Sequence, residues 1–250
     1  MTLGGGLVSF ALGTALGALS NLCIGRFPKD ESIVGAWPSC EACGAQKSLK
    51  HLVPIAGFLA AGGRCASCGK AFPRRELLVE AAGGLLAMAC YGAFGISWAF
   101  ASNTILLIAA LTAGVIDSRH KIIPNALTIP CMGLGLAMSF LPGRPTPVES
   151  VVGLLVAGGL LALLVWAYPK GMGGGDVKFM AMAGAFLGWT KALVAIFAAS
   201  FTAVLVGLAL VGMGRRGLRD PLAFGPYLSL GILVAVFGDT RIFPFSQWWF

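Results

Sequence analysis

Charged side chains are scarce in this chain. Of 250 residues only 11% are Asp, Glu, Lys or Arg, and just ten are acidic. A soluble globular chain carries about 25% charged residues, so the composition excludes an ordinary cytosolic enzyme, a secreted disulfide scaffold and a disordered tail. No basic residue precedes the first apolar stretch, and the next apolar run lies far downstream. Met1 to Gly25 therefore reads as a membrane helix rather than a cleaved signal peptide. No Gly-Lys-Ser/Thr follows the glycine-rich stretch at 171–175, which excludes a phosphate-binding P-loop. What fills the chain instead is apolar: 57% hydrophobic residues, 36 glycines and a mean hydropathy of +0.85. The net charge of +8 invites a nucleic-acid reading, but the charges sit in short clusters between apolar runs. That distribution reports membrane orientation, so the expected surroundings are a lipid bilayer and no nucleic acid.

A helix needs about 20 apolar residues to cross a hydrocarbon core of roughly 30 Å. Charge-free runs mark Met1 to Gly25, Ala81 to Ile116, Ile122 to Gly143, Ser150 to Pro169, Phe179 to Thr190, Ala192 to Gly214 and Pro221 to Gly238. The Ala81 to Ile116 run is long enough for two helices folded near Gly95 to Trp98. The expected fold is thus all-α, a polytopic membrane protein of about eight transmembrane helices. Assigning alternate loops to opposite sides gives fifteen of the 18 Lys and Arg to one face and only Arg144, Lys191 and Arg241 to the other. The crowded face is cytoplasmic by the positive-inside rule, which leaves both termini outside. Phe179 to Thr190 is short, since 12 residues rise about 18 Å. It must recruit flanking residues, let Lys178 and Lys191 snorkel, or begin inside the bilayer boundary.

Between the first two helices lies the one sizeable stretch of soluble-like composition. It holds Cys40-Glu41-Ala42-Cys43 and Cys65-Ala66-Ser67-Cys68, each pair followed by Gly. Two such knuckles can wrap one tetrahedral ion with four thiolates, a donor set that favours zinc. Disulfides or free thiols are the alternative, and a cytoplasmic location weighs against disulfides. A closed four-Cys site leaves no open position for a substrate, so the metal should be structural and stabilise a segment too polar for its own core. His51 could replace a thiolate, although four Cys already satisfy the ion. Cys23, Cys90 and Cys131 lie singly in apolar runs and read as small hydrophobes.

Most carboxylates sit in the insert or among turn residues; Asp117 and Asp176 differ. Asp117 ends a long apolar helix, and Asp176 follows Gly171-Met172-Gly173-Gly174-Gly175 and opens a short one. The charge count sets both at the cytoplasmic boundary, so they can meet although 59 positions apart. Two readings stand on charge and position: interfacial carboxylates that balance nearby cations, or a functional pair, since ionisable groups at such depth are costly. Glycines allow close backbone approach, and Asp176 at a helix start meets the positive end of the helix dipole. Two carboxyl groups sharing a proton can activate water and protonate a leaving amine.

At these residues the sequence resembles the type IV prepilin peptidases, bacterial members of the GxGD aspartic membrane proteases. Gly173-Gly174-Gly175-Asp176 matches the Gly-x-Gly-Asp motif, with Gly171-Met172 before it and Val177-Lys178 after it. Asp117 with Pro124-Asn125 matches the family's first motif, and Asn125 leaves Asp117 as its only carboxylate. Ser20-Asn21, Arg26-Phe27-Pro28, Gly63-Arg64-Cys65 and Arg75 to Glu80 match around the insert. The resemblance spans Gly17 to Gly188. It implies a first transmembrane helix at 1–25, a cytoplasmic zinc-binding insert at 26–78 with Cys40, Cys43, Cys65 and Cys68 as ligands, and a membrane-embedded protease at 79–250. It implies Asp117 and Asp176 as the catalytic pair and Gly173, Gly175, Pro124 and Lys178 as active-site motif residues, Lys178 tuning the pair or touching the substrate unless it is merely an orientation charge. The implied substrates are prepilins and pseudopilins of type IV pili and type II secretion systems, cut after Gly at the inner face of the bacterial cytoplasmic membrane. Many members then methylate the new N-terminus with S-adenosylmethionine. A peptidase without that second activity is the nearest competitor. An ion-coupled transporter is a distant one, because no convincing internal repeat is visible.

Overall fold

The computed structural model describes residues 2–238 apart from 36, 41, 47–53, 61, 144, 170–171, 216 and 218–221. The expectations attached to His51 and Gly171, and to Lys47, Lys50, Arg144, Lys170, Arg216, Arg219 and Arg241 as orientation charges, lie outside the described residues. The described residues form eight α-helices: α1 (Leu3–Arg26), α2 (Ala56–Ala60), α3 (Arg74–Phe94), α4 (Trp98–His120), α5 (Asn125–Met138), α6 (Pro147–Ala167), α7 (Gly174–Gly212) and α8 (Gly225–Phe237). They contain no strand, only two isolated bridges, Ser39 with Gln46 and Arg64 with Ala71. Helices α1, α3, α4, α6 and α7 are long and apolar enough to cross a membrane; α5 and α8 are shorter apolar helices. Leu7, Val8, Leu155, Leu163, Phe197 and Leu208 stand exposed, as lipid-facing side chains do and water-facing ones rarely do in such number. The protein is an all-α polytopic membrane protein with a four-Cys insert between its first two long helices.

The apolar runs map onto helices with two local differences. The long run folds where expected, α3 ending at Phe94 and α4 starting at Trp98 around Gly95 (φ +61). The expected loop at Lys191 is not there. The short run starts earlier, at Gly174, and joins the next into the 39-residue α7, whose one break in helical geometry is Gly188 (φ +74, ψ 172). A side chain would be strained at that φ, so the backbone turns at the glycine, and Lys191 falls in the first turn beyond it. Glu149, expected in a loop, instead caps α6: its carboxylate accepts from the Thr146 N–H at 2.7 Å while Thr146 Oγ1 accepts from the Glu149 N–H at 3.3 Å. This reciprocal pair satisfies two orphan donors of the first turn.

The chain divides into two compact units, Met1–Phe100 and Ala101–Phe250. In the first, α1 and α3 run antiparallel so closely that a Cβ on Gly13 would meet the Gly83 carbonyl oxygen, and one on Gly17 would lie 2.7 Å from Glu80 Cα. In the second, α6 meets the first half of α7 the same way, Gly153 against Gly184. Small residues at these crossings let backbones approach where lipid supplies no hydrophobic drive between helices. Phe179, Met180, Met182 and Phe186 fill the centre of this unit and fix the start of α7.

Candidate functional site

Two groups of chemically capable residues stand out, one in each unit. In the first unit the knuckles adopt the same turn twice. The Gly44 N–H donates to the Cys40 carbonyl and the Cys40 N–H to the Ala45 carbonyl, both at 2.9 Å; Gly69, Cys65 and Lys70 repeat the pattern at the same lengths. Gly44 and Gly69 close these turns at φ +71 and +70, conformations that favour glycine. The four sulfurs of Cys40, Cys43, Cys65 and Cys68 all lie within 4.8 Å of one another, with Cys40 to Cys68 at 3.9 Å and Cys43 to Cys65 at 3.8 Å. A tetrahedron of thiolates about 2.3 Å from a central zinc ion has edges of about 3.8 Å, so the set can hold a metal ion. All four cysteines are free of disulfides. Backbone dipoles favour the thiolate at one sulfur of each knuckle. The N–H groups of Ala42 and Cys43 hold Cys40 below the ordinary thiol range, and those of Cys68 and Ser67 bring Cys65 down to about 6. At Cys43 the Ala45 N–H acts in the same direction, yet the neighbouring Cys68 sulfur and desolvation leave it pushed up to about 11. Among the described residues, the apolar cluster at the knuckles consists of Cys40, Cys65 and Phe72, with Phe58 packed alongside, a core too small to fold alone.

In the second unit Asp117 and Asp176 line one cavity of about 450 Å³, together with Lys121, Ile123, Gly173 to Gly175 and the 222–224 segment. Both carboxylates are buried, each 7% exposed, and they lie within electrostatic reach of each other. Asp117 comes from the last turn of α4. Asp176 comes from the first turn of α7, where its Oδ2 accepts from the Gly173 N–H at 3.2 Å. The two motif segments pack together, since a Cβ on Gly175 would lie 3.1 Å from Ile123 Cβ. Pro124 starts α5 as its N-cap, directing Asn125 toward α7. There Lys178 Nζ donates to Asn125 Oδ1 at 2.8 Å, linking the segments a second time. The sequence-expected residues Asp117, Asp176, Gly173 and Gly175 therefore meet in one cavity, with Pro124 and Lys178 beside it.

One contributor escaped the sequence reading. Gly225, at the start of α8, donates its N–H to Asp117 Oδ2 at 2.8 Å across 108 positions. A Cβ there would fall 2.7 Å from Asp117 Cβ and 2.8 Å from Oδ2, so only glycine lets this backbone reach the carboxylate. The signal in the sequence was slight: a Gly-Pro pair opening an apolar run, which marks a helix start but names no partner. Nearby, Ser229 Oγ donates to the Ala110 and Gly225 carbonyls at 2.7 and 2.9 Å, tying α8 to α4 one turn further on.

Comparison with known proteins agrees with this division. The type IV leader peptidase family matches residues 104–208, and the bacterial peptidase A24 N-terminal domain matches residues 11–94. A prepilin leader peptidase/N-methyltransferase of Myxococcus xanthus is 33% identical over 235 residues, covering 88% of this chain and 70% of that protein. Proteins of the same name from Pseudomonas aeruginosa and Burkholderia pseudomallei are 27% and 29% identical, covering 93% and 92% of this chain and 90% and 72% of their own lengths. No solved structure matches. At that identity and coverage, with both carboxylates in place, the chain belongs to the type IV leader peptidase family.

Proposed function

We propose that this chain removes the leader from prepilins or pseudopilins, with Asp117 and Asp176 as its catalytic pair. The observation that carries the reading is the meeting of two buried carboxylates, from helix ends 59 positions apart, in one cavity. One carboxylate takes a proton from water as the water oxygen attacks the scissile carbonyl. The other carboxyl gives its proton to the amide nitrogen as the carbon–nitrogen bond breaks. Which residue plays which part belongs to the pair as a coupled unit. The Gly173 and Gly225 N–H groups hold one oxygen of each carboxylate, which leaves the other oxygens to face the reactants.

The excess of Lys and Arg on alternate loops supports a cytoplasmic insert and a site at the inner boundary of the cytoplasmic membrane, with both termini outside. A site at that depth suits a peptide whose apolar segment is already in the bilayer and whose basic leader stays in the cytosol. Cys40, Cys43, Cys65 and Cys68 would hold zinc as a structural ion that closes the insert. The name that these relatives carry supports N-methylation of the trimmed product, for which S-adenosylmethionine would supply the methyl group.

The test is leader cleavage by the purified full chain. Asp117→Asn and Asp176→Asn should each slow trimming of a prepilin by about 10³-fold, the scale of a lost general acid or base, with unchanged elution in detergent. Trimming at the parental rate by either variant would remove that residue from the mechanism.

A further inference from the structure

Lys121 occupies a place that its residue type does not favour. It follows His120, the last residue of α4, with φ +54, in the left-handed region. Glycine or asparagine commonly takes that position beyond a helix end, and a lysine there is strained. The Lys121 N–H donates to the Asp117 carbonyl at 2.9 Å, which closes the helix, but a glycine would make that bond at no conformational cost. What the lysine adds is its charge. Lys121 lines the cavity that holds both carboxylates, within electrostatic reach of Asp117. It is the one cation among the described residues of that lining. Arg119 and His120, exposed on the last turn of α4, already give that helix a basic end, so an orientation charge does not require Lys121. Lys178 is engaged elsewhere, by Asn125.

We propose that Lys121 is a further catalytic residue, whose ammonium holds the carbonyl oxygen of the scissile peptide bond as negative charge develops there. The proposal rests on the reading of Asp117 and Asp176 as the proteolytic pair. That pair moves protons and leaves the carbonyl oxygen without a partner. As the water oxygen bonds to the carbonyl carbon, its proton passes to one carboxylate and the π electrons move onto the carbonyl oxygen. When those electrons return, the C=O bond re-forms and the C–N bond breaks. The nitrogen then takes the proton of the other carboxyl. Full charge stands on the oxygen only between these steps, so a cation placed there lowers the barrier without tightening substrate binding. A fixed charge among apolar walls such as Ile122, Ile123 and Phe224 acts more strongly than it would in water.

Leader cleavage by the full chain in detergent tests this, with each variant measured at its own pH optimum. Lys121→Gly accepts the same φ, keeps the N–H that closes α4 and removes only the side chain. It should lower kcat by about 10²-fold, the scale of one lost oxyanion donor, with KM little changed. Lys121→Met should lose as much, and Lys121→Arg should recover part of the loss. Added ethylammonium should raise the rate of Lys121→Gly to a plateau, and ethanol should not. Arg119→Ala, which removes a neighbouring charge outside the cavity, should cleave at the parental rate. Parental kcat in Lys121→Gly, with Asp117→Asn and Asp176→Asn slow, overturns the role of Lys121 and leaves the pair standing. A loss confined to KM, or an equal loss in Arg119→Ala, overturns it too. Parental rates in the Asp variants overturn the pair and this proposal with it.

Discussion

The cysteine cluster and the carboxylate pair solve the same problem, bringing distant reactive atoms together, by opposite means. The cluster is local. Four thiols lie between Cys40 and Cys68, and each pair is shaped by a short turn whose hydrogen bonds repeat from one knuckle to the other. The carboxylate site is assembled by packing. Its parts come from the end of α4, the start of α7 and the start of α8, and no short stretch of chain contains two of them. A local cluster of thiols would be held by the ion it can bind; an assembled site is held by the helices around it. The two should therefore fail differently when disturbed.

The largest expected effect is on the local site. Cys65→Ser removes the thiol whose backbone surroundings most favour the thiolate. A structural zinc site contributes about 10–16 kcal/mol of apparent binding free energy at neutral pH. With Phe72 and Phe58 as the rest of its core, the insert has little to replace that. Metal content should fall from about one ion per chain to near zero, and trypsin should cut the insert at Arg64 or Lys70 where the parent resists. The Asp variants should keep their metal and their resistance. A Cys65→Ser protein that still holds one tightly bound ion would end the four-thiolate description.

The assembled site should break at a residue that carries no reactive group. Gly225→Ala puts a methyl group within 3 Å of Asp117 and displaces either the carboxylate or the start of α8. Displacing a reacting group by about 1 Å can cost about 10²-fold in rate, and that is the loss expected in leader cleavage, with kcat falling more than KM rises. Gly207→Ala, at a helical position where an added Cβ meets nothing within 4 Å, should cleave at the parental rate. Equal activities in the two variants would show that Asp117 keeps its place without the Gly225 N–H.

What the sequence made legible follows the same division. The knuckles could be read outright because Cys-x2-Cys, Gly and spacing state the whole geometry within a few residues. Asp117 and Asp176 were legible through their motifs and through the alternation of charged loops, which sets both at one boundary. Gly225 was not, because a backbone N–H leaves no trace in residue identity and Gly225 is one of 36 glycines. The break in α7 lies three residues before Lys191, where the charge pattern sets it, for a related reason. Lys191 marks polarity, while the turn depends on φ, which Gly188 supplies and hydropathy does not register. Lys121 was hidden too. In the sequence it is one more basic loop residue, and only its φ and its place in the cavity wall set it apart.

The smallest expected effect concerns Lys178, where the sequence offered an orientation charge or a participant in the site. Its ammonium donates to Asn125 across 53 positions, which makes it a clasp between the two motif segments. The pair is exposed, so water competes for both partners and the clasp contributes little to stability. Its value is in holding Pro124-Asn125 beside the start of α7. Lys178→Met should lower leader cleavage a few-fold, and Asn125→Leu should do the same. If the two act only through each other, the double variant should be no worse than either single one, the signature of a shared interaction. Lys178→Arg should recover part of the loss, because the donor is kept. Additive losses would mean that Lys178 acts on something other than Asn125, with the leader peptide as the first candidate. The residue would then belong to substrate recognition rather than to the assembly of the site.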